Sequence, residues 1–214
     1  MCAMLAATSG VAGCASKKPG HTVTVTVTPA RTSSTAAPGS SSASASASPT
    51  SSTRTSLGGT CDTLLPASSV VDAIGGKGLD GADAFVVGNA QKDIGRLAYV
   101  NCRYGVTGTG AAAKSKIEVG VSLYSTPAAA ATRVSATLDD YTAHGARATD
   151  TMVDSAPAKL LSGGTGADYA APVLVLSADQ RTVAVTIAPA VATGSTATKD
   201  AVALAKLVLS KTAA

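Results

Sequence analysis

What most restricts this chain's possible folds is a break in composition at Cys61. From Ala15 to Thr60 the chain is dominated by Ser, Thr, Ala, Pro and Gly, and it carries no Asp, Glu, Phe, Tyr or Trp. Such a stretch cannot bury enough apolar area to offset the entropy of ordering its backbone, so it reads as a disordered tether. As a flexible coil it would span roughly 40 Å on average and at most about 150 Å when stretched. One run inside it, Thr22 to Thr28, alternates Thr and Val as a strand does. An isolated strand is unstable, so the expectation is an extended piece ended by Pro29. Any globular fold must be built from 61–214, a length suited to one domain.

The chain opens with a short apolar run, Met1 to Ala7, followed by Val11-Ala12-Gly13-Cys14. An aliphatic residue, then two small residues, then cysteine resembles the lipobox of bacterial lipoproteins. That resemblance implies a signal peptide over 1–13, cleavage before Cys14 and acylation of Cys14 with palmitate-type chains. The lipidated cysteine and its tether then occupy 14–60. Acyl chains contribute about 0.8 kcal/mol per buried methylene, so two or three anchor a domain stably. The implied address is the extracytoplasmic face of the cell membrane, with the membrane as partner through Cys14. No Lys or Arg precedes Cys14, and Thr8-Ser9-Gly10 interrupts the apolar run. A signal peptide normally has a basic start, so the expectation is a translation start upstream of Met1.

Charge divides at the same place. Lys17, Lys18, Arg31 and Arg54 are the basic residues before Cys61, and no acidic residue precedes it. Removing those 4 from the 17 basic residues leaves 13, against 13 acidic ones, so the formal +4 belongs to the tether. Basic residues beside an acylated cysteine suit an anionic lipid surface. The neutral domain lacks the basic excess of a nucleic-acid binder. Of the four cysteines, Cys2 lies in the signal region and Cys14 is the acylation site. Cys61 and Cys102 remain, and two cysteines in an exported domain read as one disulfide. Metal ligation is the poorer reading, because the domain holds one histidine, His144, and no Cys-x-x-Cys pair.

The periodicity of 61–214 predicts an α+β domain: a mainly antiparallel sheet with helices packed on it. A short helix carries Val70, Val71 and Ile74 and ends at Gly75-Gly76. Strands are expected at Ala84 to Val87, Leu97 to Tyr104 and Lys116 to Tyr124. In the second of these Ala98, Val100, Cys102 and Tyr104 share a face. In the third Ile117, Val119, Val121 and Leu123 face inward, which leaves Tyr124 exposed. Thr126-Pro127 caps a helix reaching Ala143, with Ala131, Val134, Leu138 and Tyr141 buried. Arg147 to Val153 is a strand and Ser162 to Gly166 a glycine-rich loop. Val173 to Ser177 and Thr182 to Ala188 form a hairpin about Asp179-Gln180. A last helix runs from Thr198 to Lys211, with Val202, Ala205 and Leu209 inward and Asp200 in its first turn.

Cys61-Asp-Thr-Leu-Leu65, a short helix ending at Gly75, and a second cysteine in Asn101-Cys102-Arg103-Tyr104 resemble a group of secreted lipoproteins. These are actinobacterial, mycobacterial-type lipoproteins of unknown function whose folded domain opens with Cys-x-x-Leu-Leu. A Thr/Val-rich then Ser-rich tether behind a lipobox is similar to the same group. Many such domains place a tryptophan close after the second cysteine; this chain has none. The resemblance implies no catalytic residues.

Chemistry-bearing patterns are sparse. Asp140 and His144 are spaced i, i+4 on the central helix, fit for an acid/base pair or two metal ligands. A histidine in a last helical turn is equally well explained by the helix dipole. No Gly-x-Ser-x-Gly elbow is present, and Ser162-Gly-Gly-Thr-Gly166 lacks the lysine and spacing of a phosphate loop. Glu118 is the sole glutamate, which excludes paired-glutamate glycosidase chemistry. No cofactor-binding or metal-binding pattern emerges. Two readings follow. The favoured one is a non-catalytic envelope lipoprotein that binds a ligand or an envelope protein in a groove between sheet and helices. The alternative is a hydrolase-like envelope enzyme that uses His144 with a nearby aspartate.

Overall fold

Seven strands form one antiparallel sheet in the order β1-β2-β3-β7-β6-β5-β4. They are β1 (Ala82–Gly88), β2 (Arg96–Val106), β3 (Ile117–Tyr124), β4 (Arg147–Val153), β5 (Ala156–Ser162), β6 (Val173–Ala178) and β7 (Arg181–Ile187). The helices are α1 (Cys61–Leu64), α2 (Ala67–Ala73), α3 (Pro127–Ala143) and α4 (Gly194–Thr212). The computed structural model describes residues 56–212. The chain divides into two units, Met1–Ser48 and Pro49–Ala214, and the described residues belong to the second. Cys14, the expected signal over 1–13 and most of the expected tether, including Thr22 to Thr28, lie outside the described residues.

The sheet is two meanders joined at the middle. β1-β2-β3 run outward to centre, and α3 then crosses one face to the far edge. β4-β5-β6-β7 return to the centre, where β7 pairs antiparallel with β3. This topology puts α3 alone on one face, against β6, β7, β3 and β4. α4 packs on the other face, against β7, β6, β4 and β3, with α1 and α2 beside it. The main core lies under α4, built from Val100, Val119, Val121, Val183, Val185 and Leu174 with Ala201, Leu204 and Val208 of the helix. A smaller cluster, Leu161, Val173 and Val175, is covered by Val134, Leu138 and Tyr141 of α3.

Local chemistry explains the elements. Thr126 accepts the Ala129 N–H on its Oγ1 at 3.1 Å and Pro127 follows, so α3 starts where a cap and proline place it. The αL conformation at Asp179 (φ 52°) turns the β6-β7 hairpin. Arg181 donates from Nη1 to the Leu209 carbonyl at 3.4 Å and to Thr212 Oγ1 at 3.1 Å, clamping the C-terminal end of α4 to the sheet. Cys61 and Cys102 are joined, with Cα atoms 5.5 Å apart, which fastens α1 to β2.

Four expectations need correction. Tyr124 is only 1% exposed, because α3 folds back over the face to which strand alternation assigns it. On α3 the buried alanine is Ala130 rather than Ala131, one turn ahead of Val134 on the same stripe. α4 starts at Gly194, so Asp200 lies in its second turn; there it is buried and takes an ion pair from Lys77 Nζ at 2.5 Å. β5 is a strand that no local pattern announced. Its Ala158 faces the main core while Leu161 faces α3, so both faces carry buried apolar residues and no clean alternation shows.

Candidate functional site

α3 covers only part of its face of the sheet. Where it stops, β2, β3 and β7 leave an open groove of about 340 Å³. The strand register fixes its floor as three rows. Tyr99, Ser122 and Thr182 stand in one, Asn101, Gly120 and Ala184 in the next, and Arg103, Glu118 and Thr186 in the third. The same strands put Val100, Val121, Val119 and Val185 on the opposite, buried face. The floor is thus the polar half of an alternation whose apolar half is the core.

Gly120 is the low point of this floor. A Cβ built there would meet the Tyr99 ring at 3.6 Å and Asn101 Oδ1 at 3.8 Å, so both side chains lean over the bare backbone. Gly88 of β1 makes room on the other flank. A Cβ there would come within 2.7 Å of Tyr99 Cδ1. Two glycines therefore shape the seat of one tyrosine.

Arg96 reaches the groove through an irregularity. The β2-β3 register slips between Arg96 and Ala98, so Arg96 pairs Tyr124 while Ala98 pairs Leu123. Leu97 and Ala98 pack towards the core and Arg96 is turned to the groove side. Its guanidinium lies 5.1 Å from the Tyr99 ring centroid. Its Nε is buried and has no hydrogen-bond partner among the described residues. Arg133 of α3 supplies a second guanidinium to the rim. Neither arginine joins an ion pair among the described residues. Glu118, by contrast, is engaged by Arg103 Nε at 3.1 Å, and Arg103 also donates to Ser115 Oγ and the Ala113 carbonyl. Burial pushes the Tyr99 hydroxyl above its ordinary pKa, and Arg96 opposes that shift most strongly. Tyr99 is accordingly a neutral donor at physiological pH.

His144 lies elsewhere, at the exposed C-terminal end of α3. Its Nδ1 is 3.7 Å from Asp140 Oδ1 and 2.7 Å from the Asp140 carbonyl oxygen. The ring stacks on Tyr169 at 3.8 Å, and the Tyr169 hydroxyl donates to the Asp140 carboxylate at 3.2 Å. Thr165 donates its N–H and Oγ1 to the His144 carbonyl. The side chains of His144 and Asp140 are 44% and 55% exposed, so the pair stands on the surface rather than in a cleft. Together these groups latch the glycine-rich loop to α3. No cluster of three metal-ligating side chains occurs among the described residues, and no helix there is long and apolar enough to cross a membrane.

The sequence led to the expectation of a groove between sheet and helices, and the shared face of Ala98, Val100, Cys102 and Tyr104 leaves Asn101 and Arg103 on the opposite side of β2, but neither located the groove. Its signal was the polar phase of β2 and β3. What that phase cannot reveal is that β7 lies beside β3, or that a slip at Leu97 adds Arg96.

No protein-family model and no curated protein matches this chain. Among solved structures, it is similar to the extracellular domain of PknH from Mycobacterium tuberculosis. The identity is 13% and the TM-score 0.43, over 71% of this chain and 94% of that one.

Proposed function

We propose that this chain is a cell-envelope lipoprotein, anchored through Cys14 on the extracytoplasmic side, whose domain binds a ligand without transforming it. The observation that carries the binding reading is the groove over Gly120. It is a concave polar floor on inner strands of the sheet, with a buried Arg96 N–H that the protein leaves unpaired. Protein folding gains nothing from such a group, since a buried donor without an acceptor costs about 1–3 kcal/mol. The anchor rests on Val11-Ala12-Gly13-Cys14 and on the tether's composition.

The groove brings together a tyrosine, an asparagine, hydroxyls and arginines, a set suited to holding a polar molecule. It contains no histidine, no cysteine and no carboxylate besides the paired Glu118. General acid-base chemistry most often draws on a histidine or a free carboxylate at the reacting atom. Two experiments test the proposal. The chain expressed with its upstream region should incorporate labelled palmitate, and Cys14→Ser should abolish the label; equal labelling of the variant overturns the anchor. A thermal-shift screen of polar small molecules should find compounds that raise the melting temperature. Gly120→Val, which fills the floor, should lose that response. A screen in which every hit stabilises both proteins equally overturns the groove as the site.

A further inference from the structure

We infer that the groove takes a hydroxyl-bearing organic anion, with the chemistry of a sugar phosphate or a uronate, whose charged group is held between Arg96 and Arg133. This rests on the groove being the binding site and names what it selects.

Charge comes first. The domain from Cys61 onward is neutral overall, with 13 basic and 13 acidic residues, so a local excess needs a local cause. In the groove Glu118 is neutralised by Arg103 at 3.1 Å, whereas Arg96 and Arg133 have no carboxylate partner among the described ion pairs. The lining therefore carries two uncompensated positive charges. Guanidinium is the side chain suited to forked donation to carboxylate and phosphate oxygens.

The state of Arg96 adds a second, independent sign. The slip at Leu97 brings Arg96 to the groove face, the Tyr99 ring supports its guanidinium, and its buried Nε meets no acceptor in the protein. An arginine held in place with an unmet donor is preorganised for an incoming oxygen. Arg133 stands on an exposed helix face across the rim, so the two charges approach one guest from the sheet and from the helix.

The floor argues for more than a bare inorganic ion. Asn101, Ser122, Thr182 and Thr186 offer both donors and acceptors, and Tyr99 offers a neutral hydroxyl. A volume of about 340 Å³ fits a small organic molecule with several hydroxyls and leaves a lone phosphate loosely held.

Calorimetric titration of the full chain with glucose 6-phosphate, glucuronate and glucose tests this. The two acids should bind, at least one of them about tenfold or more tighter than glucose, and the affinity should fall with added salt. The relative strength of the two acids tells phosphate from carboxylate. Arg133→Gln, on an exposed helix face, should weaken the acids about tenfold with an unchanged melting temperature, and Arg96→Gln should weaken them by a similar factor. Arg147→Gln, which removes the same charge on β4 outside the groove, should leave binding unchanged. Glucose binding as well as the acids, with Gly120→Val abolishing all three, overturns the anion selectivity while the groove stands as the site. Binding that Gly120→Val leaves intact overturns the groove itself. Failure of both acids to bind at millimolar concentration overturns the inference.

Discussion

Tyr104 shows how one side chain ties the disulfide end of the domain together. Its ring is buried on the core face of β2, and its hydroxyl donates to the Leu65 carbonyl just past α1. Tyr104→Phe keeps the ring and strands that carbonyl, so it should cost about 1–3 kcal/mol, read by denaturant unfolding at neutral pH. Burial also pushes the Tyr104 hydroxyl well above its ordinary pKa, with Asp83 and Asp62 adding to the shift. Tyr99 and Tyr141 are raised for the same first reason. A raised tyrosine keeps its proton in the folded state after the unfolded chain has lost it. The related stability is therefore intact below about pH 10 and is lost as pH rises beyond it. Stability should fall on the alkaline side, and Tyr104→Phe should flatten that fall; an unchanged slope would refute Tyr104 as its main source. The two glycines beside Tyr99 give a contrast at the same scale. Gly88→Ala drives a Cβ to 2.7 Å from the ring and should cost about 1–3 kcal/mol. Gly120→Ala meets nothing closer than 3.6 Å and should stay within about 0.5 kcal/mol of the parent.

Among the elements, α1 has the weakest claim to form unaided, since four residues barely complete one turn. What holds it is the bond from Cys61 to Cys102 and the burial of Leu64 and Leu65. Replacing both cysteines by alanine should lower stability by about 2–5 kcal/mol relative to the oxidised parent, measured by thermal unfolding. Elements with one polar face were legible from sequence, and β3 and the capped start of α3 fall where periodicity and Thr126-Pro127 put them. β5 was not, because Pro157 and Ala158 have low strand preference and Leu160 and Leu161 pack on opposite faces. Burial of Asp200 was illegible for another reason: its partner Lys77 is 123 residues away in sequence. The groove failed on both counts. Each wall taken alone looks like an ordinary solvated strand face, and the meeting of β3 with β7 is a property of the whole topology.

At the scale of the molecule, the question is where the folded unit begins. Composition put its start at Cys61, but Leu57 is only 4% exposed and belongs to the main core. Ser56, Leu57, Gly58 and Gly59 line a shallow cleft with Val87 and Gly88 of β1 and Leu97 of β2. This short segment therefore closes the end of the β1-β2 hairpin nearest Tyr99. Thr60 adds a local reason, because its carbonyl accepts from the Thr63 and Leu64 N–H groups at the start of α1. A leucine moved from a core to water costs about 1.5–3 kcal/mol, and at this domain size each kcal/mol shifts the melting temperature by roughly 2–4 °C. A fragment that starts at Ser56 should melt with the full chain. One that starts at Cys61 should melt several degrees lower, with its disulfide intact in both cases. Limited proteolysis should cut before Ser56 and spare Leu57. Equal melting of the two fragments would place Leu57 outside the cooperative unit.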